Sequence, residues 1–248
     1  MSAKSRSVSD PNSKGSASFL WVIVAVLAIA AIVIGVVVWQ SKGKAAEEVA
    51  AQRVELGFTP TFDGNDVRLA ADNAKADAPE VSLYEDFSCH YCADLAEATD
   101  DQMLQEIRNG NLVVTVNPLT FLDGVNAQNE PNIGHSAAAA AATTALADMG
   151  EFDAWWTLRA VLMDKQAEIY NQWSDEDFAE AAKAAGASDE AAEAIKAGKY
   201  YDQAVETAKK NAKELEDQTG SVSSPRVLLD GKDVQVSSTD EWIDAVLK

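Results

Sequence analysis

The sequence predicts an α/β domain with an inserted helical block, preceded by one transmembrane helix. Three observations predict it. Residues 19–39 form a long apolar run without a charged side chain. Residues 79–110 read as a strand that hands over to a helix, with Cys89 and Cys92, the only two cysteines of the chain, at the junction. Residues 132–217 then become alanine-rich and helical before strand-like sequence returns at 226–236.

The first element is the apolar run "FLWVIVAVLAIAAIVIGVVVW". As a helix it spans about 31 Å at ~1.5 Å per residue, which matches a hydrocarbon core of ~30 Å. A cleaved signal peptide carries a shorter apolar region of ~7–15 residues. Trp21 and Trp39 stand near the two ends, and Lys42 and Lys44 follow. The tail before it carries Lys4, Arg6 and Lys14 against Asp10, and a basic tail favours the inner side. The expected order is a cytoplasmic tail at 1–18, a transmembrane helix at 19–40 and a stalk or linker at 41–64. That stretch holds a short helix near Lys44–Leu56. Everything beyond lies outside the membrane, in an oxidising compartment.

The globular part divides into 65–130, an inserted helical domain at 131–198, and a return to the first fold at 199–248. "DVRLA" is a possible opening strand. "PEVSLYEDF" suits a buried strand, and "HYCADLAEATDDQMLQEIRNG" keeps Leu95, Met103, Leu104 and Ile107 at helical spacing until Asn109-Gly110 ends it. "NLVVTVNPL" is a second buried strand. Ser, Asp and Gly signals separate the helices of the block. Its Trp155, Trp156 and Trp173 read as core aromatics, and His135 as structural or exposed. "RVLLDGKDVQV" reads as a hairpin turning at Asp230-Gly231, and "TDEWIDAVLK" as a closing helix with Thr239 as N-cap.

The formal net charge of −20 argues against nucleic acid as a partner, because such a surface repels phosphates. The cysteine pair needs another explanation than stapling, since a bridge across two intervening residues constrains almost nothing in the unfolded chain. A closed zinc site needs about four ligands. The only histidines are His90, inside the motif, and His135, and two thiolates with one distant imidazole make a poor closed zinc site. A Cu(I) site needs fewer ligands and stays open as an alternative. Redox chemistry suits the local structure better. At a helix N-terminus the free N–H groups and the macrodipole favour a Cys89 thiolate. Cys92, one turn on, faces inward and is placed to resolve a mixed disulfide.

From about residue 79 to 248 the chain resembles the DsbA-like thiol-disulfide oxidoreductases of the thioredoxin superfamily. The resemblance rests on "EDFSCHYC", on "GHSAAAAAATTALADMGEFDAWW" and "YNQWSDEDFAEAAKAAG" in the insertion, and on "VSSPRVLLDGKDV". It implies a thioredoxin fold, with Pro225 as the cis-proline whose loop, with Ser224 and Arg226, lies against the active-site pair. It also implies an acid that relays the proton of the buried cysteine. On a strand only one of Glu85 and Asp86 can face inward, and Asp86, three residues before the first cysteine, matches the family position. His90 and Tyr91 depart from the proline common inside the motif. His90 either favours the thiolate when protonated or is a solvated loop residue, Tyr91 offers a contact to substrate, and Arg226 either adds positive potential near Cys89 or is a solvated residue at the start of the strand.

The expected function is a membrane-anchored enzyme that introduces disulfides into exported, unfolded or reduced proteins. A client thiolate forms a mixed disulfide with the enzyme, and a second client cysteine resolves it. No cofactor or metal is expected, and a monomer is. Reoxidation by a membrane electron acceptor is implied by the resemblance alone. Two alternatives stand beside it: a reductase of exported disulfides or apocytochrome cysteines, and a copper-binding or chaperone module without turnover.

Overall fold

The computed structural model describes residues 21–29 and 46–248, which fall into two units, Met1–Ala45 and Ala46–Lys248. Residues 21–29 are helical and exposed. The rest of the predicted transmembrane helix, residues 19–20 and 30–40, lies outside the described residues. Among the described residues no helix is long and apolar enough to cross a membrane.

The second unit is built on a six-stranded sheet of order β1-β2-β4-β3-β5-β6. Its strands are β1 (Thr61–Phe62), β2 (Val67–Leu69), β3 (Glu80–Asp86), β4 (Val113–Leu119), β5 (Arg226–Leu229) and β6 (Lys232–Asp233). Only β3 and β4 run parallel, in register from Glu80↔Val113 to Asp86↔Leu119. Their crossover is α2 (His90–Arg108), as parallel neighbours require a long connection. Gly110 ends that connection with φ +72°, and a Cβ there would stand 2.4 Å from the Asn73 carbonyl oxygen. Glycine therefore meets both the backbone conformation and the close approach. The β5–β6 hairpin turns on Asp230 (φ 52°) and Gly231 (φ 71°), the paired positive φ of a tight turn matched to strand twist.

Both faces of β3 are covered. Val81 and Leu83 belong to the main core together with Met103 and Ile107 of α2. Tyr84 joins Leu119, Leu228 and Leu215 of α8 (Tyr201–Thr219) in a smaller cluster. Between the strands β4 and β5 the chain forms α3 (His135–Asp148), α4 (Phe152–Asp164), α5 (Gln166–Ile169), α6 (Asp175–Ala185), α7 (Asp189–Lys196) and α8. Helix α3 is buried on nearly every side, because alanine lets its neighbours approach closely. Trp155 and Trp156 are core residues, while Trp173 is partly buried against Phe178.

Two sequence expectations are corrected here. The stretch predicted as a linker at 41–64 is, from residue 46, part of the folded unit. Residues 46–51 form α1, Val49 and Leu56 are buried, and Arg108 donates to the carbonyls of Glu55 and Leu56. These apolar side chains are spaced too irregularly to announce their burial, which depends on what α2 and α4 present to them. At the other end Thr239 is not an N-cap. It begins a short 3-10 turn (Thr239–Glu241) that follows Ser238 and leads into α9 (Trp242–Val246).

Candidate active site

Cys89 stands at the N-cap of α2 (φ −90°, ψ 109°), where β3 ends. Its own N–H donates to the Asp86 carbonyl (2.9 Å), and its carbonyl accepts from Cys92 N–H (2.9 Å) and Ala93 N–H (3.3 Å). The start of α2 differs from the starts of α6 and α7. Those begin with Ser174 and Ser188 as side-chain caps, followed by acidic first turns. Helix α2 has neither a side-chain cap nor a carboxylate in its first turn. Its terminal N–H groups are left for the sulfur, and no like charge opposes an anion there.

Both cysteines are free thiols, Cys89 7% and Cys92 2% exposed. The Cys89 thiol is pulled down to about 5, first by the hydrogen bond from the Cys92 thiol, against the opposing effect of burial. Ser224 and the N–H groups of Cys92 and Tyr91 add to the lowering. Cys92 moves the other way. Its hydrogen bond to Cys89, its burial and the Glu85 charge all hold it protonated, although the Asp86 N–H, 3.5 Å from its sulfur, partly opposes them. The pair is thus one acidic and one retained thiol.

The Ser224–Pro225 peptide bond is cis, and the loop carrying it lies against the pair. As a thiol, Cys89 donates to the Ser224 carbonyl (3.3 Å). Once ionised it cannot; the Ser224 hydroxyl is buried without a hydrogen-bond partner among the described residues, and the Ser224 side chain contributes to the lowering of Cys89. Arg226 does not face the sulfur with a free charge. It forms a paired salt bridge with Asp233 (2.6 and 2.6 Å) and donates to Ser223 Oγ (3.1 Å), which ties β5 to β6. His90 is exposed at the first position of α2 and stacks on Tyr91, with ring centroids 3.8 Å apart. Tyr91 is 62% exposed.

The two carboxylates correct another expectation. Glu85 and Asp86 do face opposite sides of β3, yet both are buried, because helices cover both faces. Asp86 Oδ1 accepts from Ser136 Oγ (2.5 Å) and Ser88 N–H (2.9 Å), and Oδ2 accepts from Leu122 N–H (3.2 Å). Burial pushes it up to about 6 despite those bonds. Glu85 is gripped by Arg159 (2.8 and 2.6 Å), whose third arm reaches Asp100 of α2 (2.7 Å). Arg159 also lies 4.8 Å from the Trp156 ring centroid. Of the two acids, Glu85 is the one whose charge acts on Cys92.

Several residues of the site escaped the sequence reading. Arg159 left a trace, as the one charge within "AWWTLRAVLM"; a buried charge requires partners. Gln166 and Ser136 left none. Gln166 Nε2 donates to the carbonyls of Phe87 (2.7 Å) and Cys89 (3.1 Å), while Ser136 Oγ lies 2.6 Å from Ser88 Oγ. Among the described residues no three His, Cys, Asp or Glu side chains are grouped to hold a metal ion.

A vicinal pair of unequal thiols at a strand–helix junction, beside a cis-proline loop, is the machinery of thiol-disulfide exchange. The thioredoxin family profile matches residues 73–248. The MdbA thiol-disulfide oxidoreductase from Corynebacterium diphtheriae is 41% identical, with a TM-score of 0.73, covering 78% of this chain and 95% of its own. MdbA from Corynebacterium matruchotii is 36% identical with a TM-score of 0.74, covering 83% and 98%. DsbA from Mycobacterium tuberculosis, at 19% identity and a TM-score of 0.57 over 73% and 90%, shares the fold. No curated protein sequence matches the chain. The chain belongs to the thioredoxin family, and it is a DsbA-like protein disulfide oxidoreductase.

Proposed function

We propose that the protein is a membrane-anchored enzyme with its N-terminus in the cytoplasm and residues from 46 onward outside, where it introduces disulfides into exported proteins. The observation that carries the direction is the asymmetry of the pair: Cys89 is lowered to about 5 and Cys92 raised. An acidic first cysteine stabilises the reduced protein, so its disulfide is given up readily.

The exchange has two steps. A client thiolate attacks Cys89 Sγ of the oxidised enzyme; the Cys89–Cys92 bond breaks, and Cys92 leaves and takes up a proton, as its raised affinity for one favours. A second client thiolate then attacks the client sulfur of the mixed disulfide and expels Cys89 as the stabilised thiolate. The client has lost two electrons and the enzyme pair has gained them. A membrane electron acceptor restores the pair. Tyr91, Phe121 and Leu122 are exposed apolar side chains near the site, suited to unfolded clients. The two corynebacterial MdbA proteins are thiol-disulfide oxidoreductases, which supports the same chemistry here.

The test is the reduction potential of the Cys89–Cys92 couple in glutathione buffers. A value near that of strong oxidants, about −120 mV, is expected. A value near about −270 mV would replace disulfide donation with the reductase reading. The anchor is tested by fractionation: the full chain is expected to stay with membranes through a high-salt wash, and residues 46–248 alone are not.

A further inference from the structure

We infer that Gln166, from the inserted helical block, is a positioning residue for Cys89: its side-chain amide locks the turn between β3 and α2 and thereby sets the reactivity of the sulfur. The inference rests on the redox pair and not on the direction in which it is used.

The turn at 86–89 has side-chain support on its N–H side, where Asp86 Oδ1 accepts from Ser88 N–H (2.9 Å), but none of its own for its carbonyls. Its carbonyls must nevertheless be oriented, because a carbonyl oxygen rotated toward Cys89 Sγ would place negative charge beside a developing anion. Two of them belong to the backbone that carries the sulfur, those of Phe87 and Cys89. Gln166 Nε2 reaches both, at 2.7 and 3.1 Å; the Cys89 carbonyl also accepts from the N–H groups of Cys92 and Ala93, whereas Gln166 is the side chain that ties it to Phe87. A primary amide has two N–H groups on that nitrogen, so one side chain can hold both oxygens at once. Gln166 is itself buried, where such bonds are strong and their loss costly. With the carbonyls held, the N–H groups of Tyr91 and Cys92 stay aimed at the sulfur, and these are among the groups that lower it. Ser136 braces the same turn through Ser88. Gln166 touches neither sulfur nor client in this arrangement; it acts through the backbone.

A purely structural role predicts lost stability and nothing else. The experiment therefore reads two quantities on the reduced full-length protein: the midpoint of the Cys89 thiolate titration by ultraviolet absorbance, and the melting temperature. Gln166→Met keeps the shape and removes both donors. Gln166→Asn keeps an amide but withdraws it from the carbonyls, and serves if the first variant does not fold. Each is expected to raise the midpoint by about half a unit to one unit, the size of one ordinary net hydrogen bond. The oxidising equilibrium constant against glutathione is expected to weaken about three- to tenfold with it. Tyr201→Phe, which removes the hydroxyl bonded to Asp175 (2.5 Å) in the helical block, is the control. It is expected to lower the melting temperature and leave the midpoint alone. Gln166 variants that behave as this control does overturn the proposal. A wild-type midpoint at the ordinary thiol value would instead overturn the depressed Cys89 thiol on which it rests.

Discussion

Cys89 and Cys92 differ by three positions and by everything that decides their acidity. In the reduced protein the Cys89 thiol is expected to titrate near 5, with Cys92 protonated throughout the neutral range. Cys92→Ala removes the donor that contributes most and should raise the Cys89 midpoint by about one to two units; an unmoved midpoint would assign the effect to the backbone N–H groups alone. Linkage gives a second expectation. The folded Cys89 value is depressed, so its stabilisation of the reduced protein is full above the ordinary value of 9.0 and is lost as pH falls toward about 5. The melting temperature of the reduced form, relative to the oxidised, should therefore fall between pH 8 and pH 5, where Cys92 does not ionise. Asp86, raised to about 6, works in the opposite sense: burial favours its neutral form, and that contribution is lost as pH rises through about 6. Replacing it by Asn should remove the step near that pH while leaving the Cys89 contribution.

At the scale of elements, α2 is fastened at its start and at its middle by different physics. Its N-terminus is left uncapped by side chains and is held by the turn and by the helical block. Its middle is held by charge, since Arg159 of α4 joins Asp100 of α2 to Glu85 of β3. Breaking a buried pair leaves charges without partners, so Arg159→Met should cost about 3–5 kcal/mol in chemical denaturation. Adding Glu85→Leu and Asp100→Leu should recover most of that loss, because well-packed apolar groups replace such networks at little cost. A failure of the triple variant to recover would mean that the network also fixes how β3, α2 and α4 meet.

For the whole molecule, acidic charge dominates. A net charge of −20 repels itself in the compact state, and salt screens that repulsion over about 10 Å at 0.1 M. The melting temperature should rise as ionic strength increases toward physiological values. A fall would mean that favourable pairs such as Arg68–Glu80 and Arg226–Asp233 outweigh the general repulsion.

The strands from β2 onward, most of the helices and the redox pair could be read from the chain because their signals are local; β1 (Thr61–Phe62) lies inside the stretch read as a linker. Alternation and helical spacing mark β3 and α2, Asp230-Gly231 marks a turn, and two thiols so close together have few other uses. The family motifs carried Pro225 in the same way. What tertiary structure decided is whatever depends on partners distant in sequence. Glu85 and Asp86 are both buried because helices from the inserted block and α2 close over both faces of β3. Arg226 spends its charge on Asp233 across a hairpin. Residues 46–58 fold onto helices more than 50 positions away, as the Arg108 bonds to Glu55 and Leu56 illustrate. Gln166 reaches the Cys89 turn from 77 positions on. A polar side chain within a helix looks the same in sequence whether it meets water or a carbonyl, and only packing determines which.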